Sequence, residues 1–126
     1  MAKQQRYLKD KKISIWYGEK LGTSSLLTYR CIYEDVWAYY KYLSGDISIS
    51  GTAIKVYDST IRGLFVIGNK KDLWSSKYTL ANLCILYDGK PWDIVSINDV
   101  EGYRDDMQIT TQYMKNRYHE GMPLEE

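Results

Sequence analysis

The residues best able to do chemistry in this 126-residue chain are few: one histidine, His119, two cysteines, Cys31 and Cys84, and a knot of acids at Asp99, Glu101, Asp105 and Asp106. A Ser-His-Asp or Cys-His site needs an imidazole held on a rigid element within reach of its nucleophile. His119 lies instead in a polar C-terminal stretch, residues 115–126, which reads as a frayed tail carrying a solvated histidine. Cys31 and Cys84 fall inside strand-forming runs and read as small buried hydrophobes, without neighbours that would activate a thiolate. Two distant cysteines make neither a disulfide framework nor a zinc motif. Adjacent carboxylates on a strand point to opposite faces, so Asp105 and Asp106 alone make a poor chelate. No phosphate-loop, dinucleotide or zinc-protease motif is present. The expectation is no catalytic residue, no metal and no cofactor. An enzyme reading would need a deep pocket joining Asp99, Glu101 and His119.

Seventeen Lys+Arg against sixteen Asp+Glu leave a formal charge of +1. A global basic field that gathers nucleic acid or anionic lipid is therefore absent. The charge does separate along the chain. Lys3, Arg6, Lys9, Lys11 and Lys12 face only Asp10 in a basic N-terminal arm, residues 1–12. Asp88, Asp93, Asp99, Glu101, Asp105 and Asp106 outnumber Lys90 and Arg104 further on. The basic set, with Asp99, Glu101, Asp105 and Asp106 opposite, makes candidate assembly surfaces that would meet head to tail between copies. Independent solvated patches account for the same charges. No apolar run approaches the roughly 20 residues of a membrane span, and the first residues lack a signal-peptide core. Synthesis in a cytoplasm, with no membrane partner, is the expectation.

Those candidates must be positioned by β-structure. Thirteen Tyr and four Trp against one Phe, with only two Pro, suit half-buried sheet faces. Ile13, Ile15 and Tyr17 alternate as a strand, and Gly18–Ser25 reads as a loop. Leu26–Leu43 alternates as Tyr29, Cys31, Tyr33 and then as Val36, Ala38, Tyr40, Tyr42. The change of parity at Glu34-Asp35 requires a bulge, so the stretch is two strands or one bent strand. Leu43–Ser59 is a glycine- and serine-containing insertion, and Ala53–Ser59 within it is a short helix or strand. Thr60–Ile67 is a strand with Ile61, Phe65 and Ile67 on one face; Leu73–Leu80 is irregular. Leu83–Tyr87, Trp92–Asn98 and Met107–Tyr113 form an antiparallel meander, turned first at Asp88-Gly89-Lys90 and then by a longer connection, Asp99–Asp105. One domain spans residues 13–114, an antiparallel barrel or tight sandwich.

The order of these elements resembles a known family. Asp35-Val36-Trp37-Ala38-Tyr39-Tyr40, a Gly/Ser interruption, Thr60-Ile61-Arg62, and then Tyr87-Asp88-Gly89-Lys90-Pro91-Trp92-Asp93-Ile94-Val95-Ser96-Ile97-Asn98-Asp99 are similar to the head–tail joining proteins of tailed bacteriophages and prophages, also called head-closure or stopper proteins. The resemblance covers roughly Ile13–Tyr113 and rests on structural residues in order. Family members often carry a more helical stretch after the V-W-A strand, where this chain has Gly45-Asp46-Ile47-Ser48-Ile49. The resemblance implies a small all-β fold, an antiparallel β-barrel with a short helical or irregular insertion. It implies a homo-oligomeric ring beneath the portal-adaptor ring, which closes the DNA channel and receives the tail proteins in the virion. It also implies that Gly45, Asp46, Ile47, Ser48, Ile49, Ser50 and Gly51 form a channel or gating loop against packaged DNA, without sequence specificity. Near-neutral charge suits a conduit, because dense Lys/Arg contacts would hold a sliding duplex. A Tyr-rich surface with few apolar core residues suits a subunit that is monomeric or weakly associated alone and rings up on its partners.

The competing reading is a binding module on an OB-like or SH3-like barrel. Tyr29, Tyr33, Trp37, Tyr39 and Tyr40 would then stack on single-stranded nucleic acid or carbohydrate.

Overall fold

The computed structural model describes residues 8–23, 26–44, 60–74, 77–100, 103–114 and 119–124. Six strands carry the period-two patterning: β1 (Lys11–Lys20), β2 (Leu27–Ser44), β3 (Thr60–Gly68), β4 (Leu83–Tyr87), β5 (Lys90–Val100) and β6 (Tyr103–Met114). A single helical turn, α1 (Lys71–Trp74), and a 3-10 turn (Leu80–Asn82) lie between β3 and β4. Every strand pairing is antiparallel, and the order β1-β2-β3-β6-β5-β4 closes on itself as a barrel. The fold is small and all-β, as expected, and closure decides for a barrel over a sandwich.

Inward positions fill the barrel. Ile13 and Ile15, Val36 and Ala38, Phe65 and Ile67, Leu83 and Ile85, Trp92 and Ile94, and Met107 and Ile109 contribute two residues from each strand. Leu73 of α1 joins the same cluster. The aromatic rings meet at one level, where Phe65 touches Tyr40, Tyr87 and Trp92 with centroids 5.1, 5.5 and 5.7 Å away. Gly63 makes that level possible. A Cβ there would fall 2.8 Å from the Tyr40 ring and 3.1 Å from the Trp92 ring. The buried Thr111 hydroxyl donates to the Gly63 carbonyl at 3.0 Å.

Ile94 is 4% exposed and packs in this core. Ile94→Ala is expected to cost about 2–5 kcal/mol, the range for removing a large aliphatic side chain from a close-packed interior. Equilibrium unfolding in urea measures it, and a change of a few tenths would put Ile94 on the outer face.

Leu27–Ser44 is one long strand, and the expected bulge is present. Ile13 faces Val36 but Ile15 faces Tyr33, so Glu34 and Asp35 together oppose Ser14. Asp35 takes φ 54°, the left-handed region where aspartate is tolerated better than most residues. A second slip escapes the sequence pattern. Between Ile15–Tyr33 and Trp16–Cys31, Ile32 is the extra residue. It places Tyr33 against the core while Tyr29 and Cys31 face outward. The β4–β5 turn has positive φ at both Asp88 (58°) and Gly89 (74°), the two-residue geometry that matches strand twist.

Three expectations are corrected. Gly18, Glu19 and Lys20 are strand and not loop, because they pair with Tyr29, Thr28 and Leu27. The longer connection Asp99–Asp105 is mostly strand, because β5 runs to Val100 and β6 starts at Tyr103, its ladder partner. The frayed tail is also wrong for residues 119–124. Glu120 bridges Thr28 in parallel, and its carbonyl accepts the Tyr29 N–H at 2.8 Å. Met122 packs with Tyr29 and Cys84 in a second apolar cluster, edged by Trp16, Leu27, Leu86 and Leu124. The segment is a strap on the outer face of β1, β2 and β4. The expected short element at Ala53–Ser59 lies outside the described residues.

Candidate functional site

Among the described residues, one member of each charged set meets the other. Lys9 Nζ lies 2.9 Å from Asp106 Oδ1, so the basic arm and the acidic meander meet within one chain. β1 and β6 stand three strands apart in either direction round the ring, so this contact joins parts distant in both sequence and sheet order. Lys11 lies 3.5 Å from Asp10 and Lys12 3.9 Å from Asp35, exposed pairs worth about 0–1 kcal/mol each. Lys3, Arg6, Glu101 and the side chains of Asp99 and Asp105 lie outside the described residues. So does the candidate gating segment, Gly45–Gly51.

The structure does place the root of that segment. The pairing of β1 with β2 ends at Lys11–Ala38, whereas β2 continues beside β3 to Ser44. Beyond Ala38, β2 leads into residues 45–59 beside β3, which is itself paired with β6 along its length. Tyr42 and Leu43 on this stretch are 54% and 44% exposed, and Trp37, just before it, is 53% exposed. Lys12 Nζ sits 5.3 Å over the Trp37 ring. Exposed large apolar side chains concentrated on one strand mark an interaction surface better than scattered ones do.

The aromatic platform is not assembled. Tyr33 and Tyr40 pack on the barrel core, and Tyr29 is buried under the strap. Trp37 and Tyr39 remain on the outer face of β2. An open groove of about 490 Å³ lies nearby, lined by Lys12, Ser14, Trp16, Glu34, Asp35 and Asp88 among others. Three acids against one base repel a phosphate backbone. Cys31 also lines it, and its thiol is held above its ordinary pKa by burial and then by Glu34 and Asp35. It is a protonated thiol near neutral pH, not a nucleophile.

His119 is the residue that sequence reasoning misplaced. It is 2% exposed, and its Nε2 lies 2.8 Å from Oδ1 of Asp93, itself 6% exposed. The Tyr29 ring lies 5.1 Å from the imidazole. The His119 ring is enclosed against Asp93 and Tyr29, while Glu101 and the side chain of Asp99 lie outside the described residues. One signal could have found the pair. Asp93 stands between Trp92 and Ile94 in a strand, and an acid there needs a neutralising partner if anything covers it.

No protein-family model matches the chain, and no curated protein matches it.

Proposed function

We propose that this chain is a structural subunit of the head–tail connector of a tailed phage or prophage, a non-enzymatic head-closure ring component that meets the portal-adaptor ring and the tail in the virion. The observation that carries the reading is the C-terminal end of β2, which exposes Tyr42 and Leu43 at the base of the segment resembling a stopper's channel loop, with Trp37 exposed earlier on the same strand. A small closed barrel supports it, with Val36-Trp37-Ala38 on β2, Ile61-Arg62 on β3 and the Tyr87–Asp99 run on the β4–β5 hairpin. In this role the barrel is a rigid washer, and the segment between β2 and β3 is the part that touches DNA.

The test replaces Gly45–Gly51 with a short Gly-Ser linker and examines purified particles. The parent chain is expected to be incorporated into particles that retain packaged DNA, and the variant to be incorporated but leak it. Absence of the parent chain from particles removes the connector reading. Full DNA retention by the variant removes the gate.

A further inference from the structure

The strongest unassigned chemistry is the cluster under the strap. Cys84 of β4 and Asp93 of β5 are direct cross-strand partners, so their side chains leave the sheet on the same face. The strap brings His119 down onto them. One donor atom from each residue, Cys84 Sγ, a carboxylate oxygen and an imidazole nitrogen, lies within 4.8 Å of the other two. All three residues are more than nine-tenths buried, with Cys84 at 0%. We infer that Cys84, Asp93 and His119 form a binding site for a thiolate-accepting divalent cation, Zn²⁺ by chemistry, which clasps the strap to the barrel.

Three physical points carry the assignment. The donor set is thiolate, imidazole and carboxylate, a mixture that suits Zn²⁺ and does not suit Mg²⁺ or Ca²⁺, which take oxygen. One thiolate and one carboxylate also balance a divalent cation, so the buried site is neutral overall and avoids the cost of an isolated interior charge. Lastly, the imidazole is held on one side only. Its Nδ1 is buried without a hydrogen-bond partner among the described residues, so no second bond opposes a swing of Nε2 from Asp93 onto the ion.

Tetrahedral Zn²⁺, with ligands at about 2.0–2.3 Å, sets its donors roughly 3.3–3.7 Å apart. The 2.8 Å His119–Asp93 contact must therefore open slightly, and the widest separation must close by about an ångström. Side-chain rotations supply both. The Cys84 thiol gives up its proton to solvent as the Zn–S bond forms, and a water admitted with the ion fills the fourth position. Affinity therefore rises with pH.

The experiment uses the full-length chain, reduced and stripped with a chelator, and Co²⁺ as the spectroscopic probe. One Co²⁺ per chain is expected, with a thiolate-to-cobalt charge-transfer band and the visible bands of tetrahedral coordination, both abolished by Zn²⁺. Cys31→Ser keeps the bands and Cys84→Ser loses the charge-transfer band. His119→Gln weakens binding by more than about 100-fold, beyond the range for losing an outer-shell group. A second measurement avoids altering the site: in Cys31→Ser protein, Zn²⁺ slows alkylation of Cys84. Absence of a charge-transfer band in the parent, its survival in Cys84→Ser, or alkylation unaffected by Zn²⁺ each overturns the proposal.

Discussion

Phe65→Ala is expected to remove about 3–5 kcal/mol, a large part of the roughly 5–15 kcal/mol that holds a domain of this size together. Phe65 is fully buried, and Tyr40, Tyr87 and Trp92 meet it at one level of the barrel. Its removal leaves a void whose walls cannot close in. Tyr40 and Trp92 already rest against the Gly63 backbone, and the Trp92 indole N–H donates to the Tyr87 carbonyl at 3.3 Å. The urea midpoint should fall with little change in slope, because the same surface is exposed on unfolding. Val95→Ala, at a position 48% exposed, is the control and should stay within about 0.5 kcal/mol. Equal losses at the two positions would mean that the aromatic level does not carry the stability assigned to it.

Gly121→Ala should release the strap while leaving the barrel intact. Gly121 has φ +96°, where an L-residue is strained, and a Cβ there would lie 2.6 Å from the Tyr29 carbonyl oxygen. Backbone cannot yield as a side-chain tip can. The strap must lift, losing the Glu120 carbonyl contact to the Tyr29 N–H and uncovering Cys84, Asp93 and Met122. The expected result is proteolysis within residues 115–126 at least about 10-fold faster than in the parent, equivalent to a local loss of about 1.4 kcal/mol or more. Far-ultraviolet circular dichroism should not change. Parental protease resistance would show that the docked strap accommodates the methyl group.

Much of the barrel could be read from the chain because each strand states its inward face locally. Met107, Ile109 and Tyr113, or Phe65 and Ile67, need only alternation to be placed. The bulge at Glu34-Asp35 was visible because parity changes there. The slip at Ile32 was not, because an apolar extra residue leaves the apolar pattern unbroken. The strap was illegible for a different reason. His119, Glu120, Gly121 and Met122 have no period, and the burial of His119 and Met122 depends on Tyr29, Cys84 and Asp93 arriving from three strands. Likewise, nothing local links Lys9 to Asp106, which lies on a strand three removed from β1 round the ring. Long-range pairing, not propensity, decides each of these.

The two slips in β2 have a genetic consequence. A strand is read in a frame of two, and each extra residue shifts that frame by one. Ile32 and the Glu34-Asp35 bulge are successive shifts that cancel, so Cys31 before them and Trp37 after them face the same way. Loss of either extra residue alone would make the pairing with β1 regular at that point and leave Val36 and Ala38 inward and Trp37 outward. A one-residue deletion elsewhere in β2 has no extra residue to absorb it and would invert every face beyond it. Single-residue length variation in related chains should therefore fall at these two places.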